Sequence, residues 1–187
     1  MHSVTQQDAC PLTLFTIGHS TRPIAVFVRL LKAHGVRRVV DVRTIPRSRH
    51  NPQFNRDRLS AALHSARMHY KHMAGLGGLR RPQPDSGNMG WRNASFRGYA
   101  DYMQTLEFDE SLVRCIDLAK HERVVLMCAE AVPWRCHRSL IADALLARGI
   151  AVREITSGVR ARPHVLTPWA RVTGTHVTYP GTIGQTR

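Results

Sequence analysis

The chain has 187 residues, is 43% hydrophobic and carries a formal charge of +14, with 27 Lys and Arg against 13 Asp and Glu. That length and apolar content suit one globular domain with a real core, and no apolar run approaches the roughly eighteen residues of a membrane span, so a membrane partner is excluded. The charge favours an anionic partner such as nucleic acid, although Lys32, Lys71 and Lys120 are the only lysines and GC-rich codon usage also produces such an Arg bias.

Residues 1–11, with Gln6, Gln7 and Asp8, lack the apolar region of a secretory signal and read as a flexible N-terminus of a cytoplasmic protein. Leu12–Ile17 reads as a strand running into Gly18-His19-Ser20. Ser20 or Thr21 can then cap a helix that has Pro23 in its first turn, an apolar face of Ile24, Phe27, Val28 and Leu31, and a stop at Gly35. Val36–Val42 is a second strand ending in Asp41-Val42-Arg43, and so compact a β-α-β unit implies parallel strands. The segment 44–55 is basic and Pro-rich, and Asn55 looks like the cap of a helix reaching Met68.

His69–Met73 is a weak strand pattern, and the Gly- and Pro-rich run to Trp91 reads as a long functional loop. A helical region follows from Ser95 with Tyr99, Tyr102, Met103 and Leu106 on its inner face, and another helix spans Asp109 to Lys120. Val124–Met127 is a buried strand, Pro133 and Trp134 interrupt, and a helical pattern runs from Ser139 to Gly149. Ala151–Ile155 is the last strand. Residues 157–187, with no acidic residue and frequent Gly, Pro and Thr, read as a basic mobile tail. The expectation is a single α/β domain over 12–156, a three-layer fold around a largely parallel sheet of about five strands.

In such sheets ligands gather at the carboxyl ends of the strands, and that is where the reactive residues fall: His19 and Ser20 after strand one, Asp41 and Arg43 after strand two, His72 after strand three, Cys128 and Glu130 after strand four. Several motifs, namely Thr16-Ile17-Gly18-His19-Ser20, Asp41-Val42-Arg43, Pro46-Arg47-Ser48-Arg49, Leu76-Gly77-Gly78, Phe96-Arg97-Gly98-Tyr99, Cys128-Ala129-Glu130 and Cys136-His137-Arg138, together resemble the bacterial domain-of-unknown-function 488 family from about Thr13 to Ile155. The resemblance implies a single α/β domain of the bacterial cytoplasm, loosely linked to DNA repair, and brings no reaction with it.

The residues leave several chemistries open. Four cysteines, Cys10, Cys115, Cys128 and Cys136, without an export signal suggest free thiols. Cys136, flanked by Arg135, His137 and Arg138 at a helix start, suits a thiolate nucleophile, or both Cys128 and Cys136 simply pack. Six residues separate Cys128 from Arg135, one more than in the anion-cradling loop of thiol phosphatases, which leaves phosphatase or sulfurtransferase chemistry as an alternative. Cys-x7-Cys-His is not a standard zinc spacing, and neither a metal nor a cofactor is expected.

His19, Asp41, Glu130 and His137 are acid/base candidates, against structural roles: a hydrogen-bonded His19, an Asp41–Arg43 ion pair, a Glu130 paired with Arg135 or Arg138. Arg43, Arg47, Arg49, Arg135 and Arg138 are candidate phosphate ligands, with Ser20, Asn51 and Gln53 as further polar contacts and Trp134 or Trp91 as a base-stacking surface. The expected function is an enzyme acting on a nucleic acid or a phosphorylated small molecule, with a non-catalytic DNA- or RNA-binding module as the alternative.

Overall fold

In the computed structural model, which describes residues 12–181, six strands form one sheet in the order β3-β2-β4-β1-β5-β6. The strands are β1 (Thr13–Gly18), β2 (Arg38–Asp41), β3 (His69–His72), β4 (Val124–Cys128), β5 (Ala151–Ser157) and β6 (Arg160–Pro163). The first five run parallel, and β6 pairs antiparallel to β5. Five helices cover the sheet: α1 (Ile24–Ala33), α2 (Arg56–Ser65), α3 (Ala94–Tyr102), α4 (Leu106–His121) and α5 (Arg138–Leu146).

The inner strands are apolar on both faces because both faces are covered, as parallel sheets require. Ile17, Val39, Val125 and Met127 face one layer with Phe27 and Leu31 of α1 and Leu59 and Leu63 of α2. Leu14, Val40, Val124 and Leu126 face the other, with Tyr99 of α3, Leu112 of α4 and Leu140, Ile141 and Leu145 of α5. This is a three-layer α/β fold. Among the described residues no helix is long and apolar enough to cross a membrane.

The order of strands decides where a ligand can enter. Neighbouring β1 and β4 send their chains to opposite faces, β1 into α1 and β4 into α5, so the loops part above their carboxyl ends and leave a crevice there.

Several local expectations change. Helix α1 starts after Pro23 with no side-chain cap, in place of the expected Ser20 or Thr21; proline's fixed φ suffices to turn the chain. Asn55 stands at the N-cap position of α2, as expected, but its side chain makes no capping bond and accepts instead from the Ser48 amide at 2.7 Å. Leu106, expected inward, is 73% exposed because it opens a new helix after the turn at Thr105, whose hydroxyl caps that helix.

The largest change concerns the stretch read as a tail from residue 157. It supplies β6, then a hairpin of β7 (Arg171–Thr173) and β8 (His176–Thr178), and it sends Val177 and Tyr179 into the core beside α5. Its anchor is Asp143, a fully buried carboxylate in α5. The Tyr179 hydroxyl donates to one Asp143 oxygen at 2.8 Å, and His164 Nε2 and the Thr167 amide donate to the other at 2.8 and 3.1 Å. A buried carboxylate is tolerated only with such partners. The proposed flexible stretch 1–11 lies outside the described residues.

Tyr179→Ala is therefore expected to cost about 3–5 kcal/mol of unfolding free energy, and Tyr179→Phe, which leaves Asp143 short of a donor, about 1–3 kcal/mol. Urea denaturation followed by circular dichroism measures both. Changes below about 0.5 kcal/mol, as at an exposed tail position, would contradict the packing.

Candidate functional site

The crevice is built on a continuation of the β1–β4 ladder. The His19 amide donates to the Cys128 carbonyl at 2.8 Å and the Ser20 amide to that of Ala129 at 2.9 Å. Gly18 makes the crossing possible, because a Cβ there would stand 1.9 Å from the Glu130 carbonyl oxygen. That carbonyl accepts from Arg138 Nη1 at 2.9 Å. Ser20 has φ of 50°, the left-handed region that a non-glycine residue enters at a cost and that is enriched at functional turns.

Beneath the crevice an ion pair joins four segments. Arg43 donates from Nε and Nη2 to the two oxygens of fully buried Asp41 at 2.8 and 2.6 Å, and its amide donates to the same carboxylate at 3.1 Å. The Tyr70 hydroxyl adds a fourth donor at 2.8 Å. Arg43 Nη2 also donates to the Phe54 carbonyl at 2.8 Å and Nη1 to His19 Nε2 at 3.3 Å. His72 Nε2 donates to the Arg43 carbonyl at 2.8 Å.

His19 is 1% exposed, stacks on Phe54 with ring centres 4.1 Å apart, and donates from Nδ1 to the Ser20 carbonyl at 2.7 Å. Burial pushes its pKa down to about 4, with the Arg43 and Arg138 charges acting in the same direction. It is a neutral imidazole with both nitrogens in use.

Over β4 and the start of α5 sit two thiols and a second imidazole. Atoms of Cys128, Cys136 and His137 all lie within 4.8 Å of one another. Cys136 Sγ is 3.8 Å from His137 Nδ1, and His137 Nε2 donates to the Val42 carbonyl at 3.0 Å. A hydrogen bond from Cys136 holds the Cys128 thiol below its usual range, helped by His137, Arg138 and the Glu130 amide; the same bond, with burial, holds Cys136 high. Burial also keeps His137 neutral.

A cleft of about 400 Å³ opens here. Buried Cys128, Cys136 and Arg43 and half-buried His137 are its floor, Ile45, Leu79 and Phe96 its apolar wall, and exposed Arg47, Arg135 and Glu130 its rim. Glu130 Oε1 accepts from the Val132 amide at 3.2 Å and pairs with neither Arg135 nor Arg138 through that contact.

Of the residues singled out from sequence, Arg43, Arg47, Glu130, Arg135, Cys136 and His137 meet in this cleft. His19 and Asp41 lie beneath it, and four hydrogen bonds to Asp41 leave it no room to act as a base. Arg138 is 1% exposed and, in place of holding a ligand phosphate, binds the Glu130 carbonyl and lies 3.6 Å from Glu154. Ser20, Arg49, Asn51 and Gln53 are not in the lining; Gln53 donates to the Arg22 carbonyl at 3.2 Å.

Trp134 is 73% exposed and faces a separate pocket with Trp91 and Trp169, and Trp91 packs at 4.8 to 5.4 Å from Phe96, Trp169 and Tyr179 in place of a free stacking surface. Sequence reasoning missed Thr44, Ile45, Leu79, Ser95 and Phe96 as lining and Tyr70 as a partner of Asp41. The Gly77-Gly78 pair was the available signal for the wall, since a Cβ at Gly78 would stand 2.4 Å from His137 Nδ1.

A family model described as domain of unknown function DUF488 matches residues 23–145. No curated protein and no solved structure matches the chain.

Because His19 is neutral in the fold at about 4 and titrates near 6.5 when unfolded, the unfolded chain binds the extra proton between those values. Stability is thus complete above pH 6.5 and falls as pH drops toward 4, by about 3 kcal/mol from this group. Denaturation curves across that range should show a steeper acid loss for the parent protein than for His19→Asn; equal slopes would contradict the neutral, buried imidazole.

Proposed function

The chain belongs to the DUF488 family, and from that premise we propose that it is an enzyme acting on a phosphorylated, nucleotide-like anion bound in the cleft at the carboxyl edge of the sheet. The observation that carries this reading is the make-up of the cleft, which joins two exposed arginines, an aromatic and aliphatic wall, and a floor of nucleophilic and metal-ligating groups within about 400 Å³. Arginine forks suit phosphate oxygens, an aromatic wall suits a planar ring, and the volume suits a small ligand.

In this reading Arg47 and Arg135 hold the phosphate, Phe96 and Leu79 contact the ring, and Glu130 at the rim is the acid/base group. Asp41 and His19 are positioning residues that fix Arg43. Exposed Arg49, Arg56 and Arg58 continue the positive surface beyond the cleft, where a DNA or RNA strand would extend from the bound phosphate. A second reading, transfer of a group to the Cys128 sulfur, is supported by the Cys136 thiol poised beside it.

Incubation with a panel of nucleotides and short oligonucleotides, followed by mass spectrometry, is expected to reveal a converted phosphorylated substrate. Glu130→Gln should lower turnover by at least about a hundredfold with binding retained. Arg47→Ala and Arg135→Ala should each weaken binding about tenfold, on the order of 1.4 kcal/mol. Binding indifferent to both arginines, or binding of the whole panel with no conversion, overturns the proposal. Turnover that survives Glu130→Gln while Cys128 is trapped as a covalent adduct selects the thiol reading.

A further inference from the structure

We infer that Cys128, Cys136 and His137 form a binding site for one zinc-class divalent cation, with its open coordination position facing the cleft. Two thiolates and an imidazole are the donor set that zinc prefers, and three protein ligands with a vacant fourth position is the composition of catalytic rather than structural zinc sites. The inference rests on the proposed function only for what that fourth position serves; the site itself rests on the geometry.

Tetrahedral zinc, with Zn–S near 2.3 Å and Zn–N near 2.0 Å, puts its sulfur ligands about 3.8 Å apart and sulfur and nitrogen about 3.6 Å apart. The Cys136 Sγ to His137 Nδ1 separation is 3.8 Å, and all three donor atoms are within 4.8 Å of one another. Adjustments of a few tenths of an ångström, up to about 1 Å, close the site.

Adjacent residues rarely offer ligands to one ion, because in regular structure their side chains diverge. Here the backbone changes character between them: Cys136 is extended at φ −133°, ψ 139°, and His137 is helical at φ −54°, ψ −15°. That break turns both side chains toward Cys128.

The imidazole is also oriented as a ligand should be. A metal-bound histidine characteristically gives its other N–H to a carbonyl or carboxylate, which fixes the tautomer and the ring plane. His137 gives Nε2–H to the Val42 carbonyl at 3.0 Å and so leaves the Nδ1 lone pair beside the sulfurs. Gly78 lies against the imidazole at Nδ1, and the Tyr99 ring is 4.9 Å away, so the ring is clamped without its own helix contributing.

Charge balance is consistent with a cation despite the nearby arginines. Arg43 is neutralised by Asp41, and Arg138 faces Glu154 at 3.6 Å. Two thiolates and one divalent ion sum to zero, so occupancy adds no net charge to the buried floor. Glu130, at the rim of the same cleft, stands two residues beyond the first ligand, where a carboxylate can exchange a proton with a water on the vacant position.

Chelator-stripped, reduced full-length protein carrying Cys10→Ser, dialysed against zinc, is expected to take up one equivalent. Cobalt(II) in its place should give a thiolate-to-metal charge-transfer band and the intense visible bands of tetrahedral coordination. Cys128→Ser and Cys136→Ser should each lose the charge-transfer intensity in part and zinc affinity by at least about tenfold, whereas Cys115→Ser, in the core away from the cleft, should change neither; near-ultraviolet circular dichroism verifies that each variant is folded.

A cobalt spectrum without thiolate charge transfer, or zinc uptake equal in the Cys128→Ser, Cys136→Ser double variant, overturns the site and identifies adventitious histidine binding. Metal binding with the thiolate band but no affinity for any nucleotide leaves the site standing and removes the proposed substrate class. Absence of zinc uptake by protein that still turns over a nucleotide does the reverse.

Discussion

The buried ion pair of Asp41 and Arg43 is the constraint on which the carboxyl edge of the sheet depends. Four of the five guanidinium N–H groups are committed, two to the carboxylate, one to the Phe54 carbonyl and one to His19. Taking two charges out of water costs several kcal/mol per ion, and the cost is offset only where every remaining lone pair and proton finds a partner. Here four of the five guanidinium protons are matched, and the Tyr70 hydroxyl and the Arg43 amide complete the carboxylate shell. The β1 turn, the 44–55 loop, the end of β3 and the end of β2 are thereby locked into one arrangement, and either charge alone would be left stranded inside the fold.

That lock explains a division of labour at the site. The lower shell, His19 with Asp41, Arg43, Tyr70 and His72, is saturated with internal hydrogen bonds and can do little besides hold geometry. The upper shell, Cys128, Cys136, His137, Glu130, Arg47 and Arg135, faces the cleft with its chemical capacity largely unspent. The two connect through Val42, whose carbonyl follows Asp41 in the chain and receives the His137 proton. A displacement of β2 would therefore be felt at the imidazole, although no residue of the strand lines the cleft, whose nearest lining in sequence begins at Arg43.

Much of this was legible in the sequence, and what was not has identifiable physical causes. Strands β1, β2 and β4 could be placed because their residues are buried on two faces and read as apolar runs, whereas the edge strand β3, His69–His72, has no buried residue and gives only a weak pattern. The rule that ligands gather at carboxyl ends then put Arg43, Glu130, Cys136 and His137 in one place without coordinates. A hydrogen-bonded His19 and an Asp41–Arg43 pair were among the readings of the sequence, but the full division between saturated and unspent groups depends on partners distant in sequence, such as Tyr70 for Asp41 and Glu154 for Arg138. The C-terminal stretch was misread for a related reason. Only Val177 and Tyr179 of its hairpin enter the core, too few to make a periodic pattern, and the acid that holds it belongs to α5. Asp143 lies in a helix that is buried along almost its whole length.

Asp143 also has a bearing on how the protein is made. During synthesis α5 leaves the ribosome before any of the three groups that satisfy its carboxylate, and the last of them, Tyr179, follows by 36 residues. Until then the helix cannot settle against the sheet without burying a carboxylate short of its full set of donors. The layer formed by α1 and α2 is free to assemble early, whereas the layer that carries the cleft floor must wait for the chain to reach Tyr179. Closure of the domain is in this sense gated by the arrival of one late tyrosine, a timing set by a single acidic side chain.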